Sequence, residues 1–172
     1  MSKAAVIGLG TMGPGIAATL ARAGYTVSAF DADAGQRAKA KAGFDIATTV
    51  LGSLGVPEKP HAAITVAETL AEAVSGADLA IENVSEKLDV KIKVFKEIEA
   101  AVSKDCIIAS DTSGIPITKI QEGVATPARV IGMHWSNPPH LIPMIEVIPG
   151  ARTAPQVTQA VMEIVKRAGL KR

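Results

Sequence analysis

Gly8-Leu9-Gly10-Thr11-Met12-Gly13 lies between a short apolar run, Lys3 to Ile7, and an alanine-rich segment, Pro14 to Ala23. The apolar run predicts a buried strand, and the alanine-rich segment predicts a helix that Gly24 ends. In the spacing G-x-G-x-x-G, the first glycine permits a tight turn, the second lets a pyrophosphate approach the backbone, and the third lets strand and helix pack closely. A glycine-rich turn without a ligand has the same letters, but the flanking strand and helix favour a dinucleotide site made by these six residues.

Apolar runs and helical segments continue to alternate along the rest of the chain. Further strands are predicted at Tyr25 to Phe30, Ile64 to Val66, Ala77 to Val84, Asp105 to Ala109, Val130 to His134 and Met144 to Val147. Further helices are predicted at Ala34 to about Leu54, Ala67 to Val74, Leu88 to Val102 and Pro155 to Ala168. This alternation predicts an α/β fold of the Rossmann type, a doubly wound and mostly parallel sheet with helices on both faces.

Composition restricts the class of protein and its partners. A length of 172 residues with 48% hydrophobic content suits one domain spanning residues 1–172. The 18 Lys and Arg residues are scattered and balance 17 Asp and Glu residues, so a small-molecule partner is expected and a nucleic acid is not. No apolar run approaches the roughly 18 residues of a membrane span. With Cys106 as its only cysteine, the protein is predicted to be cytoplasmic, with no membrane association and no metal site.

Asp31 lies at the end of the second predicted strand, 23 residues after Gly8, the first glycine of the motif. A carboxylate about 20 residues after such a motif accepts hydrogen bonds from the adenosine ribose, and its charge would repel a 2'-phosphate. NAD is therefore predicted in preference to NADP. The alternative is a helix or turn cap, although Asp33 precedes the next predicted helix and is also placed to cap it.

His134 is followed at Glu146 by a carboxylate within the apolar run Met144 to Ile148. A carboxylate among apolar residues is costly to bury unless a partner satisfies it, and an upstream histidine is a suitable partner. We therefore expect Glu146 to be buried and paired with His134 as an acid/base device beside the dinucleotide. A histidine beside a strand is more often a surface or packing residue, and this alternative stays open.

Four segments together resemble the N-terminal NAD-binding domain of the 3-hydroxyacyl-CoA dehydrogenase family over essentially the whole chain. They are Gly8 to Ala17 (GLGTMGPGIA), Ile81 to Lys91 (IENVSEKLDVK), Ser110 to Pro116 (SDTSGIP) and Gly132 to Val147 (GMHWSNPPHLIPMIEV). The resemblance implies NAD-dependent oxidation of a 3-hydroxyacyl-CoA-type secondary alcohol to the 3-keto product, and the reverse reaction. It implies that His134 is the general base and that Glu146 holds the other nitrogen of its ring.

The resemblance also assigns roles to four further residues. Ser113 matches a serine that contacts the reacting oxygen of the substrate, and Asn137 matches an asparagine that shapes the pocket beside the nicotinamide. Glu86 and Lys91 match positions that line the cofactor. For Ser113 and Asn137 a purely structural role in a turn stays open, and without the resemblance Glu86 and Lys91 would be interpreted as surface charges.

Three departures from the family pattern affect the expected substrate. Ser110 to Gly114 has the sequence SDTSG where the family commonly has SNTSS, so the fine geometry is in question. Pro138 to Pro143 is more similar to relatives that oxidise short polar hydroxy acids, such as carnitine or gulonate. The segment from Asp31 to Ala77 is shorter than the helical arm that contributes to CoA binding in the fatty acyl enzymes.

The resemblance also implies a second, helical domain. In the family this domain supplies much of the substrate cleft and the dimer interface. Since the sequence ends at Arg172, we expect a fragment or an isolated domain, with a homodimer only when the second domain is present. Three functions stay open on this basis. They are a 3-hydroxyacyl-CoA dehydrogenase, a dehydrogenase of a short polar hydroxy acid, and an NAD-binding module without activity. A lysine-dependent β-hydroxyacid dehydrogenase leaves no role for His134, so it is disfavoured.

Overall fold

A seven-stranded sheet is the centre of the computed structural model, which describes residues 2–171. The strands are β1 (Lys3–Ile7), β2 (Thr26–Phe30), β3 (Thr65–Val66), β4 (Leu79–Glu82), β5 (Ile107–Ser110), β6 (Val130–Trp135) and β7 (Ile145–Pro149). Their order across the sheet is β3-β2-β1-β4-β5-β6-β7. Every neighbouring pair is parallel except β6 and β7, which are antiparallel. The predicted fold, a mostly parallel Rossmann-type sheet, is confirmed.

Helices cover both faces of this sheet. They are α1 (Gly13–Arg22), α2 (Ala34–Ser53), α3 (Leu70–Val74), α4 (Leu88–Ala101), α5 (Ile117–Glu122) and α6 (Pro155–Arg167). Successive side chains of β1 point to opposite faces, so Val6 packs in a core with α1, α2 and α6, whereas Ile7 packs in a second core with α3, α4 and α5. Because both faces of the central strands β1, β4 and β5 are buried, their sequences are largely apolar.

Two short elements were missing from the sequence prediction. They are α5 and a 3-10 turn at Pro127–Arg129. The signal for α5 is weak, because only Ile117, Ile120 and Gln121 of its six residues are buried and no side chain caps its first turn. The predicted stops are confirmed, since Gly24 (φ 89°) and Gly169 (φ 72°) adopt the left-handed conformation that glycine tolerates after a helix.

β1 and β4 lie side by side near the centre of the sheet. The strand that follows β1 is added on one side of this pair, and the strand that follows β4 is added on the other side. In open α/β sheets, ligands bind in the crevice outside the carboxyl ends of the strands at such a switch point. The loops that follow β1, β4, β5 and β6 therefore meet at one edge. Within residues 2–171, no helix has the length and apolar character needed to cross a membrane.

A buried ion pair lies beneath this edge. Glu82, at the end of β4, and Lys91, in the first turn of α4, are both completely buried, and their charged atoms are 2.8 Å apart. Ser110 donates its hydroxyl proton to the second oxygen of Glu82 at 2.6 Å, and the backbone N–H of Val84 donates to the first at 2.7 Å. Buried charges are tolerated when they are paired and hydrogen-bonded in this way. The ion pair therefore fixes the ends of β4 and β5 relative to α4.

Candidate active site

The glycine-rich loop joins β1 to α1, and two of its glycines are required by the fold itself. Gly8 has φ 101°, and a Cβ atom there would lie 2.7 Å from the carbonyl oxygen of Asn83. At Gly13 a Cβ atom would lie 2.1 Å from the carbonyl oxygen of Gly8. At Gly10, by contrast, a Cβ atom would meet nothing within 4 Å. Gly10 therefore faces open space, which is what the second glycine needs if a pyrophosphate is to approach it.

A crevice of about 430 Å³ extends from this loop between β2 and α4, and Asp31 and Asn83 line it. One carboxylate oxygen of Asp31 accepts a hydrogen bond from the N–H of Leu9 at 2.7 Å, and the other accepts one from the N–H of Asp33 at 2.8 Å. A carboxylate has about four acceptor sites, so Asp31 retains capacity for ribose hydroxyls. Asp33 caps α2 by accepting from the N–H of Gly35 at 2.6 Å, which leaves Asp31 free of that role.

Asn83 is a residue of the crevice that the sequence analysis did not single out. Its amide nitrogen donates to the carbonyl oxygens of Ile7 and Ile81, at 3.4 Å each. Its side-chain oxygen is buried and has no hydrogen-bond partner among the described residues. An unsatisfied buried acceptor is costly, so Asn83 presents a site for a donor on a ligand. Only its place directly after β4 could have indicated this.

A second cleft, of about 520 Å³, opens on the other side of the glycine-rich loop. Its lining residues come from the loop and from the ends of β5 and β6: Thr11, Met12, Asp111, Ser113, His134, Trp135, Ser136 and Asn137. Most of the predicted catalytic residues thus lie within one cavity. Gly10 lines the crevice that contains Asp31, whereas Thr11 and Met12 line the cleft that contains His134. The glycine-rich loop therefore lies between the two cavities.

Ser113, His134 and Glu146 form a hydrogen-bonded chain. The hydroxyl of Ser113 is 3.1 Å from Nε2 of His134, and Nδ1 of His134 is 2.6 Å from a carboxylate oxygen of Glu146. A neutral histidine that donates its Nδ1 proton to Glu146 has an acceptor lone pair on Nε2. Nε2 is therefore oriented to accept a proton within the cleft.

The predicted burial of Glu146 is wrong, although the predicted pairing with His134 is present. The side chain of Glu146 is 61% exposed. It lies on an edge strand, where Met144 and Ile148, two positions away on either side, are also exposed, whereas Ile145 is fully buried. The apolar run predicts burial along its whole length, but only one face of β7 packs on the core. What joins the two side chains is strand register, because His134 and Glu146 are direct partners across β6 and β7.

Asn137 lies in the wall of the cleft, at a cis peptide bond to Pro138. The segment that follows it packs on α1 at Gly15, where a Cβ atom would lie 2.6 Å from Pro139 and 2.7 Å from the ring of His140. This close contact joins the loop after β6 to the helix that follows the glycine-rich loop. It explains a fourth glycine in the opening segment that the G-x-G-x-x-G pattern does not contain.

Glu86 lies beneath the Ser113 loop. One of its oxygens accepts hydrogen bonds from the backbone N–H groups of Ser113 at 3.0 Å and Gly114 at 2.9 Å, and from the hydroxyl of Thr112. Partial burial alone would raise the pKa of Glu86, but the bonds from Thr112 and Gly114 and the charge of Lys91 lower it to about 2. Glu86 therefore holds the serine loop as a carboxylate. Its predicted contact with the cofactor, and that of the fully buried Lys91, stay predictions.

Asp111 is a second acidic residue in the cleft, which the sequence analysis noted only as a departure. Burial raises the pKa of Asp111 to about 6, against the lowering effects of a hydrogen bond from Trp135 and the charge of His134. The hydrogen bond, 2.9 Å long, joins the N–H of Trp135 to Oδ1 of Asp111. It ties the end of β5 to the residue that follows His134.

Comparison with known proteins identifies the family of the chain. Residues 3–171 match the sequence profile described as 3-hydroxyacyl-CoA dehydrogenase, NAD binding domain. The chain belongs to the 3-hydroxyacyl-CoA dehydrogenase family. Its cofactor is accordingly NAD, and Gly10 with its open approach, Asp31 with spare acceptor capacity and Asn83 with an unpaired oxygen fit that cofactor.

Individual members of the family differ in the substrates that their names give. The chain is 48% identical over 168 residues to a Mesorhizobium japonicum 5-formyl-3-hydroxy-2-methylpyridine 4-carboxylate 5-dehydrogenase, covering 96% of the chain and 54% of that protein. It is 38% identical over 154 residues to an L-carnitine dehydrogenase of Streptomyces griseus, covering 89% and 46%. A solved structure of a dehydrogenase with the first name, described as an NAD+-dependent dismutase, has a TM-score of 0.95 and 46% identity, covering 99% of the chain and 56% of that structure. The chain thus spans about half the length of these relatives.

Substituting the second and third glycines separates cofactor binding from folding. Gly10→Ala adds a methyl group where the protein has no atom within 4 Å, so we expect unchanged thermal stability and NADH binding weakened at least about tenfold. Gly13→Ala pushes a methyl group against the carbonyl oxygen of Gly8, so we expect a loss of stability of about 1–3 kcal/mol or more. Calorimetric NADH titration and thermal unfolding check both outcomes. Normal NADH affinity of Gly10→Ala would contradict the interpretation.

Glu86 gives the serine loop a predictable pH dependence. Its pKa lies below the ordinary value of 4.5, so its stabilising effect is full above about pH 4.5 and is lost as the pH falls towards 2. Glu86→Gln should therefore be less stable than the unsubstituted protein at pH 7, by about 1 kcal/mol because the side chain is half exposed. The difference should shrink as the pH falls to 3. Urea unfolding measures it, with Glu163→Gln, an exposed carboxylate on α6, as the control.

Proposed function

We propose that the chain is the NAD-binding half of a dehydrogenase in which His134 is the general base, acting on the hydroxyl group of a small, carboxylate-bearing substrate. The observation that carries the proposal is the chain of hydrogen bonds from Ser113 through His134 to Glu146, which ends in the cleft beside the glycine-rich loop. The histidine thus has an orienting carboxylate on one nitrogen and an accessible lone pair on the other. This is the arrangement that a base beside a hydride acceptor requires.

In the proposed reaction each of the three residues has a role. Nε2 of His134 accepts the proton of the substrate hydroxyl, and the carboxylate of Glu146 stabilises the imidazolium that forms. Ser113 is bonded to the same nitrogen and is placed to donate its hydroxyl proton to the reacting oxygen when substrate occupies the cleft. NAD, when bound, supplies the carbon that accepts the hydride. Asn137 and Met12 form adjoining walls that orient the substrate.

Two lines of support favour a small substrate over an acyl-CoA. Between β2 and β3 the chain forms one helix, α2, and a largely exposed loop, so no helical arm of the kind implied for CoA binding is formed there. The two relatives compared above are named for a pyridine carboxylate and for carnitine. A 3-hydroxyacyl-CoA substrate is the second candidate, because the matched family profile has that name.

His134→Ala tests the base. In the whole protein we expect kcat/KM to fall about 10²–10⁴-fold, as for loss of a general base, while NADH affinity stays nearly unchanged. Steady-state kinetics and calorimetry measure the two quantities. His61→Ala is the matched control, because His61 lies in the exposed loop after α2 and pairs there with Glu58. Full activity of His134→Ala would refute the assignment.

A substrate panel separates the open functions. In the whole protein we expect kcat/KM for carnitine, gulonate or 5-formyl-3-hydroxy-2-methylpyridine 4-carboxylate to exceed that for 3-hydroxybutyryl-CoA by at least about tenfold. The reverse order would favour the acyl-CoA candidate. NADH binding without turnover of any of these compounds would instead support a binding module.

A further inference from the structure

Asp111 has one carboxylate oxygen that the fold uses and one that it does not. Oδ1 accepts the hydrogen bond from the N–H of Trp135 at 2.9 Å. No hydrogen bond or ion pair reaches Oδ2 from the described residues. This oxygen is open to solvent. Asp111 lines the same cleft as Ser113 and His134. The site therefore has an available acceptor besides Nε2 of His134.

A secondary alcohol gives this second acceptor nothing to bind at the reacting carbon. Its carbon carries one hydroxyl group, which His134 and Ser113 already engage, and the remaining substituents are carbon and hydrogen. A hydrogen-bond donor on the substrate next to the reacting hydroxyl group would instead complement Oδ2 of Asp111.

A hydrated aldehyde has such a donor. The formyl carbon itself carries no hydroxyl group, so it can release a hydride in a base-assisted step only after water has added to give a carbon with two hydroxyl groups. One of these can meet His134 and Ser113, and the other then requires an acceptor on its own side of the carbon. The relative that is 48% identical is named as a 5-dehydrogenase of a 5-formyl compound.

We propose that Asp111 accepts a hydrogen bond from the second hydroxyl group of a hydrated aldehyde and so adapts this site to oxidise a formyl group to a carboxylate. The inference rests on the proposed function, since it uses the same base and cofactor. Water adds to the aldehyde, and the first hydroxyl proton passes to Nε2 of His134. The carbon–hydrogen bond breaks with its electron pair going to NAD, which is reduced. A carbon–oxygen double bond forms, and the resulting carboxylic acid loses its remaining acidic proton to solvent.

The charge of Asp111 assists this step. The reacting carbon becomes electron-poor as the hydride leaves, and a carboxylate bonded to the second hydroxyl group increases the electron density on that oxygen. Such preorganised electrostatic contacts stabilise the charge that develops in a transition state. An asparagine, which the family pattern commonly has at this position, would keep the contact to Trp135 but offer no charge.

Asp111→Asn in the whole protein tests the proposal. The probe is 5-formyl-3-hydroxy-2-methylpyridine 4-carboxylate, assayed for oxidation with NAD and, separately, for reduction of the same formyl group with NADH. Reduction uses the free aldehyde, which has no second hydroxyl group. We expect oxidation to fall at least about 100-fold and reduction to change little. Asp105→Asn, which changes an exposed carboxylate before β5 and outside the cleft, is the control that should lower neither reaction.

A binding measurement gives a readout apart from turnover. Without added NAD or NADH, so that no turnover occurs, carbon-13 NMR of a labelled formyl group distinguishes bound hydrate from bound aldehyde; we expect the hydrate with the unsubstituted protein and the aldehyde with Asp111→Asn. Thermal unfolding and NADH affinity of the variant show whether the fold is retained. An equal effect of Asp111→Asn on both reactions, or none on either, would overturn the proposal. Reduction without any oxidation by the unsubstituted protein would overturn it too, but would leave the proposed dehydrogenase intact. Failure of both reactions and of the whole substrate panel would instead refute the proposed function.

Discussion

Close packing of α1 against its neighbours is the constraint on which both clefts depend. Gly13 lets the helix begin within van der Waals contact of Gly8, and Gly15, in the first turn of the helix, lets Pro139 and His140 pack on it. The first contact shapes the loop beside the cofactor crevice, and the second brings in the segment that follows β6. A side chain at either position would separate the helix from one of these partners. The cofactor crevice and the cleft that contains His134 therefore share one wall.

A series of charged side chains connects the core to the Ser113 loop. Glu82 and Lys91 form a fully enclosed pair at the ends of β4 and α4, and Lys91 also lies 3.4 Å from Glu86. Glu86 in turn holds the backbone of Ser113, whose hydroxyl meets His134. A buried pair of this kind contributes little net stability, but it fixes the geometry of what is bonded to it. The position of the serine hydroxyl is thus determined by contacts that begin in the core.

Most of the fold was predictable from local patterns. Alternating strands and helices, with glycine stops after α1 and α6, determine the doubly wound sheet, and strand β1 with its glycine-rich loop identifies the cofactor. The helix α5 was not predictable, because six residues provide too little periodicity. Glu146 was predicted correctly as a partner and wrongly as a buried group. An apolar run does not reveal which strand will be at the edge of a sheet, and exposure depends on that position.

Roles that depend on contacts distant in sequence were the least accessible. Asn83, Glu86 and Asp111 acquire their properties from backbone groups or charges on other elements, and no spacing along the chain encodes these contacts. Asp111 differs from the other two in one respect that bears on specificity. Asn83 has an unpaired acceptor beside the cofactor crevice, and one oxygen of Glu86 is occupied by the serine loop, whereas Asp111 lines the cleft with one carboxylate oxygen that has no partner among the described residues.

The exposure of His134 and Glu146 affects the strength of the interaction between them. The side chain of His134 is 28% exposed and that of Glu146 is 61% exposed, so water screens their attraction on this surface. On either side of Glu146 along the chain, Met144 and Ile148 expose apolar side chains. Any surface that packs on these residues also removes water from Glu146 and lowers the local dielectric constant, which strengthens the electrostatic interaction between Glu146 and His134. Burial of apolar area beside the cleft and the strength of this interaction are therefore coupled.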